Sequence, residues 1–177
     1  MTHADEPAGP PAAPVIRAAR HDDAAGIARM HWASHQTTYI DSGAVARERI
    51  EAWTLEQRLE GWRQVLADVD GPERIVVVAV DGDRIVGFAD AKGVDLVAEP
   101  DAPRDLELKG LYLLDAYQGS GLGQALLDAA IGTRPAFLWA MAGETRARAF
   151  YRKNGFEPDA TEVPFEPWRI MIVRLVR

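Results

Sequence analysis

The chain has 177 residues, 20 Lys+Arg against 27 Asp+Glu, no Cys and 47% apolar residues, which is the size and composition of one globular domain. Without cysteine it has no disulfide framework, iron–sulfur cluster, thiolate zinc site or Cys nucleophile, and the cytoplasm is the default compartment. A formal charge of −7 works against broad nucleic-acid binding and suits a cationic substrate; no apolar run reaches the roughly 18 residues of a membrane span.

Residues 1–14, MTHADEPAGPPAAP, hold four prolines among Ala and Gly, so they cannot bury enough apolar surface to offset ordering entropy. They read as a flexible tail, with a single domain over residues 15–177. Val15–Ala18 forms a first strand, and Asp22 and Asp23 supply carboxylates for a helix N-terminus. In that helix Ile27, Met30 and Ser34 fall at helical spacing. Leu55, Leu59, Trp62 and Leu66 recur at i, i+4, i+7 and i+11 and predict one second helix over residues 46–69.

The β-branched run Arg74–Val80, the turn Asp81-Gly82-Asp83 and the strand Arg84–Ala91 predict a hairpin. A strand over Leu106–Leu114 leads through residues 115–120 to a helix bearing Leu122, Ala125, Leu126 and Ala129 on one face. Residues 135–141 predict a strand, Thr145–Lys153 a helix closed by Asn154-Gly155, and residues 156–163 and 168–176 two final strands.

The segment Gln118-Gly119-Ser120-Gly121-Leu122-Gly123 stands between a strand and a helix. Its glycines can take positive φ, so successive N–H groups face one anion ahead of a helix dipole, an arrangement suited to a pyrophosphate. The alternative is a tight turn in which the glycines serve packing. A Walker loop is excluded, because no Gly-Lys-Ser/Thr follows. A dinucleotide fold is excluded as well, because a hairpin precedes the loop.

The strand and loop Leu111–Gly123 resemble the strand and Q/R-x-x-G-x-G/A loop of the GNAT superfamily of acyl-CoA-dependent N-acetyltransferases. Arg146–Phe156 is similar to that family's Ala-x-x-Phe-Tyr-x-x-x-Gly-Phe helix ending. The resemblance spans residues 15–177 and implies an α/β (α+β) fold, with a mixed, mostly antiparallel sheet of six to seven strands flanked by about four helices. It implies acetyl-CoA as cosubstrate without a metal, and a possible homodimer. It assigns pantetheine pairing to the backbone of Leu111 and Leu113, pyrophosphate binding to Gln118, Gly119, Ser120, Gly121, Leu122 and Gly123, and further cofactor contact to Phe150 and Tyr151. Gly110 is the expected place for a bulge that opens the strand. Where many members carry Asn, this chain has Gly143-Glu144-Thr145, and Glu144 is read as a helix cap.

Acyl transfer needs a neutral amine, donors for the oxyanion and a proton for the departing thiolate. Tyr151 is the candidate acid, since a phenol near pKa 10 is a donor at neutral pH. Glu107 is the candidate base, directly or through water, with a surface carboxylate as its alternative. The Leu111 or Leu113 amide is the candidate oxyanion donor. Trp32 and Tyr39 are candidate acceptor contacts, whereas Trp53 and Trp62 read as packing residues. His31 and His35 are spaced i, i+4 without a third ligand, which excludes a zinc site. The expected activity is transfer of acetyl from acetyl-CoA to a primary amine on a small molecule or peptide, in a ternary complex. The alternative is a non-catalytic acyl-CoA sensing module on the same fold.

Overall fold

The computed structural model describes residues 13–67, 69, 71, 73–143 and 145–177. Most of the expected tail and Glu144 fall outside these, so the tail and the cap assigned to Glu144 are not addressed. One seven-stranded sheet runs in the order β1-β2-β3-β4-β5-β7-β6. Its strands are β1 (Val15–Ala18), β2 (Arg74–Asp81), β3 (Arg84–Gly93), β4 (Leu106–Leu113), β5 (Phe137–Met141), β6 (Glu157–Phe165) and β7 (Ile170–Val176). Every pairing is antiparallel except β4 with β5, the mixed sheet the resemblance implies.

Five α-helices accompany it: α1 (Ala24–His35), α2 (Arg47–Glu51), α3 (Leu55–Ala67), α4 (Leu122–Ala130) and α5 (Thr145–Lys153). The central strands are apolar on both faces because both faces are covered. In β2, Val76 and Val78 pack with Ile27 of α1 and Trp62 and Leu66 of α3. The alternating Val77 and Ala79 pack with Leu126, Leu127 and Ala130 of α4. Period two in the strand thus divides the interior into two cores.

The single helix expected over residues 46–69 is two. Thr54 breaks it by starting α3: Gln57 N–H donates to Thr54 Oγ1 at 3.3 Å, and Thr54 N–H donates to Gln57 Oε1 at 2.9 Å. This is a reciprocal capping box. Beyond His35, α1 continues as a π-helical segment over Gln36–Asp41, a widened turn that periodicity does not reveal.

Two irregularities open the sheet. In the β3–β4 register Asp90 pairs with Gly110 and Ala91 with Leu108, leaving Lys109 as the extra residue of a bulge. Beyond it β4 and β5 part: their parallel pairing covers only Glu107 with Phe137 and Leu108 with Leu138. Thr54→Ala should cost about 1 kcal/mol of stability by removing the cap of α3, measured as a lower urea midpoint at unchanged m-value.

Candidate active site

The wedge between β4 and β5 exposes backbone. Leu114 N–H donates to Val86 O at 2.9 Å, so that residue, and Tyr112 two positions before it, turn their main-chain groups toward β3. By the alternation of an antiparallel ladder, Leu111 and Leu113 turn theirs to the open side. Gln118 confirms the direction, since its Nε2 reaches across to Leu113 O at 3.3 Å.

Two cavities meet at this strand. The larger, about 610 Å³, runs from Leu111 and Leu113 past Gln118, Gly119, Gly121 and Gly123 to Phe150 and Asn154 of the α5 end. The smaller, about 230 Å³, lies between β4, β5 and the β6–β7 hairpin. Tyr39, Leu111, Tyr112, Ala147 and Tyr151 line both.

At the far end of the larger cavity Gly119 (φ 82°) and Gly121 (φ 88°) are left-handed, a conformation that strains other residues. Gly121 is the N-cap of α4, and a Cβ on Gly119 or Gly121 would meet nothing within 4 Å. The glycines therefore serve the backbone path and leave the space above it clear, rather than filling a tight packing site. Ser120 Oγ donates to Tyr117 O at 2.6 Å and accepts from Leu122 N–H at 3.3 Å, fixing the loop. The helix dipole and its first-turn donors face the cavity. Arg146 and Lys153 of α5 also line it. Sequence reasoning passed over these two cations; their i, i+7 spacing, with Phe150 between them, was the available signal.

Tyr151 is buried at 8% exposure. Burial, the first cause, and the neighbouring Tyr112 hydroxyl hold its phenol well above the ordinary value, so it carries its proton at any physiological pH. Its position is set by the helix end: Phe156 N–H returns to Tyr151 O at 3.1 Å across Gly155 (φ 81°), a helix-terminating turn of the Schellman kind.

Behind the smaller cavity lies a buried polar cluster. Arg58, fully buried, has its guanidinium carbon 4.4 Å from the Trp53 ring centre and 4.9 Å from that of Trp32. It donates to Ile50 O, to Trp53 O and, at 3.1 Å, to His35 Nδ1. Trp62 Nε1 donates to His31 Nδ1 at 3.3 Å. Arginine and indole are obligate donors, so both imidazoles accept at Nδ1 and carry their proton on Nε2. The two rings lie 4.2 Å apart, and His35 packs on Tyr39, Tyr112 and Trp168. Among the described residues no group of three or more His, Asp or Glu side chains could hold a metal ion.

Two sequence expectations are redirected. Glu107 lines neither cavity; both its carboxylate oxygens accept from Lys109 Nζ, at 3.0 and 3.1 Å, and it is Lys109 that lines the smaller cavity. Trp32 also lines neither cavity and lies against Arg58 instead. Tyr39 lines both, carried there by the π-helical segment.

A family model described as an acetyltransferase (GNAT) domain matches residues 72–158. The aminoglycoside N(6′)-acetyltransferase type 1 of Stenotrophomonas maltophilia is 35% identical over 144 residues, 75% of this chain and 93% of that protein. The chain belongs to the GNAT acetyltransferases. An uncharacterized N-acetyltransferase of Mycobacterium tuberculosis is 34% identical over 96 residues, 51% of this chain and 57% of that protein. PaiA N-acetyltransferase from Thermoplasma acidophilum, solved with coenzyme A, shares the fold at TM-score 0.72 and 20% identity, covering 94% of this chain and all of that one. The protein is thus an acetyltransferase with acetyl-CoA as cosubstrate. The fit is physical: a groove with outward backbone groups for an extended arm, ending in a loop of bare amides for a diphosphate.

Gly121→Glu should weaken CoA binding at least about tenfold, because it places a carboxylate over the amides and strains a left-handed position; calorimetric titration with CoA measures it. The histidines give a second expectation. Burial, then the Arg58 charge, pushes His31 down to about 3, and burial, then His31 and Arg58, pushes His35 down to about 2. Both are neutral when folded, whereas the unfolded chain binds their protons below about pH 6.5. Stability should therefore be complete above that pH and fall below it by about 1.4 kcal/mol per pH unit for each histidine. Urea midpoints from pH 7.5 to 5 test this, with a shallower dependence expected for His35→Gln.

Proposed function

We propose that the protein transfers the acetyl group of acetyl-CoA to a primary amine by direct attack in a ternary complex. The supporting observation is that the two cavities meet at Leu111 and Tyr151, so a thioester lying along β4 and an amine in the smaller cavity approach one point. The backbone of Leu111 and Leu113 pairs with pantetheine, and the loop from Gln118 to Gly123 holds the pyrophosphate. Phe150 flanks the arm, and Arg146 and Lys153 face the phosphates.

Binding both substrates together converts a bimolecular encounter into a local one. The amine nitrogen attacks the thioester carbon, and an outward main-chain N–H of β4 stabilises the oxyanion that forms. The C–S bond then breaks, and Tyr151 gives its proton to the sulfur. The nitrogen's proton passes to the resulting phenolate, directly or through water, which restores Tyr151. Glu107 in this reading holds Lys109 and is not the base.

The acceptor is an amine on a small molecule, as the Stenotrophomonas enzyme's name states for that protein. The proposal also includes a single domain over residues 15–177, supported by one sheet reaching from Val15 to Val176. The cytoplasmic location suggested by composition and the homodimer implied by the family belong to it too. No helix among the described residues is long and apolar enough to cross a membrane.

Tyr151→Phe should lower kcat about a hundredfold with little change in CoA affinity, whereas Glu107→Gln should leave kcat/KM within about threefold of the parent. Thiol release under saturating acetyl-CoA reads both. CoA binding without thiol release across a broad amine panel would instead indicate an acyl-CoA sensing module.

A further inference from the structure

The smaller cavity narrows the acceptor. Six aromatic side chains line it, and the remaining walls are aliphatic apart from Gly110 and one charged residue, Lys109. Among the described residues no carboxylate lines it. Lys109 Nζ is held by both carboxylate oxygens of Glu107, at 3.0 and 3.1 Å. Arg58 stands one side chain behind the aromatic wall, through the His35 ring that touches Tyr39, Tyr112 and Trp168. The wall therefore presents rings, aliphatic groups and one lysine whose charge Glu107 balances, with the Arg58 guanidinium a ring behind it.

Such walls oppose a polycation. Each additional ammonium group would be desolvated against aromatic and aliphatic walls with no carboxylate among the described lining residues to pair with. A single amine on a flat apolar body meets this cost only once: aromatic faces and edges accept the ring, and desolvation by these walls favours the neutral, nucleophilic form of the amine. The cavity's volume of about 230 Å³ lies below the roughly 300–1,000 Å³ of sites for drug-sized ligands, which suits a compact molecule. Phe165 and Trp168, with ring centres 5.4 Å apart, and Tyr39, 4.9 Å from Trp168, form one continuous stretch of aromatic wall.

We infer that the acceptor is a small primary monoamine carried on an aromatic body, an arylalkylamine, and not a polyamine or aminoglycoside; this rests on the acetyltransferase reading of the same site. Trp168 and Tyr39 are its specificity-determining residues. The reaction balances without a carboxylate base. The amine leaves its proton in bulk water on entry, the C–N bond forms to give the oxyanion, the C–S bond then breaks, and Tyr151 gives its proton to the sulfur and regains one from the nitrogen.

The test compares kcat/KM for 2-phenylethylamine, spermidine, kanamycin and a short peptide with a free N-terminus, using the full chain and saturating acetyl-CoA. The arylalkylamine should exceed each of the others by at least about tenfold, the scale of discrimination an apolar pocket achieves. Trp168→Ala should raise KM for 2-phenylethylamine about tenfold with kcat nearly unchanged. An unaltered thermal shift with CoA would show the variant folded. If it does not fold, Tyr39→Ala serves the same comparison. Preferred turnover of kanamycin, spermidine or the peptide would overturn the inference while leaving the acetyltransferase reading intact. An unchanged KM in folded Trp168→Ala would overturn it as well. CoA binding with no turnover of any amine would overturn both, and absence of CoA binding would remove the cosubstrate site on which both depend.

Discussion

The separation of β4 from β5 is the constraint on which the rest of the structure depends. A paired sheet has no room for a ligand among its strands, because each main-chain donor and acceptor is already used. Here one extra residue, Lys109, rotates the chain beyond it. After Leu108 the two strands no longer pair. Leu111 and Leu113 are left with main-chain groups facing open space, and that is a strand edge held inside a sheet. An extended amide-bearing arm satisfies such an edge as another strand would. Gly87 supports the arrangement from the opposite side: a Cβ there would lie 2.5 Å from Leu113 Cδ1, so the absence of a side chain lets β3 hold β4 closely while β5 departs.

The two ends of the wedge are built by different means. At the phosphate end nearly everything is backbone: left-handed Gly119 and Gly121, the start of α4, and the edge of β4. At the acceptor end nearly everything is side chain, drawn from the π-helical segment, β5 and the β6–β7 hairpin. Behind that wall Arg58 has no exposed surface. A buried guanidinium is tolerated because carbonyls, an imidazole nitrogen and two indole faces replace its water. Even so, burial lowers its pKa to about 10, which leaves it charged. Its position links α2, α3 and α1, so the residue that shapes the acceptor wall also joins the helices carrying it.

Sequence and structure agree where a local physical rule acts alone. The β2–β3 hairpin follows from Asp81-Gly82-Asp83, and Gly82 adopts φ 57°. The loop at Gly119 and Gly121, the bulge beside Gly110 and the end of α5 at Gly155 all appear where glycine is needed. Disagreement arises where two signals compete. The apolar spacing Leu55, Leu59, Trp62, Leu66 outweighed the capping pattern Thr54-x-x-Gln57, although the cap determines where α3 starts. Strand alternation placed Glu107 and Lys109 on one face opposite Leu106 and Leu108, and their side chains meet there, but Lys109 and not Glu107 reaches the cavity wall. Trp32 and Arg58 form a pair between elements far apart in the chain, and no periodicity encodes it. The π-helical turn that brings Tyr39 to both cavities has no compositional mark of its own.

Membership in the acetyltransferases therefore leaves the acceptor open for a structural reason. In the proposed reading the loop amides and the β4 edge recognise what every acetyl-CoA shares, and their geometry is indifferent to most side chains. The acceptor wall is a set of side chains supported by the Arg58 cluster, and replacing a few of them changes its charge without disturbing the edge. The Stenotrophomonas enzyme, 35% identical over 144 residues, can share the first half of this machinery while differing in the second. A carboxylate in the wall would suit several ammonium groups; the described lining residues of this chain are instead aromatic and aliphatic, with Lys109 paired to Glu107. Specificity therefore follows from the charge of a small number of wall residues, and the chemistry from a backbone path that those residues do not alter.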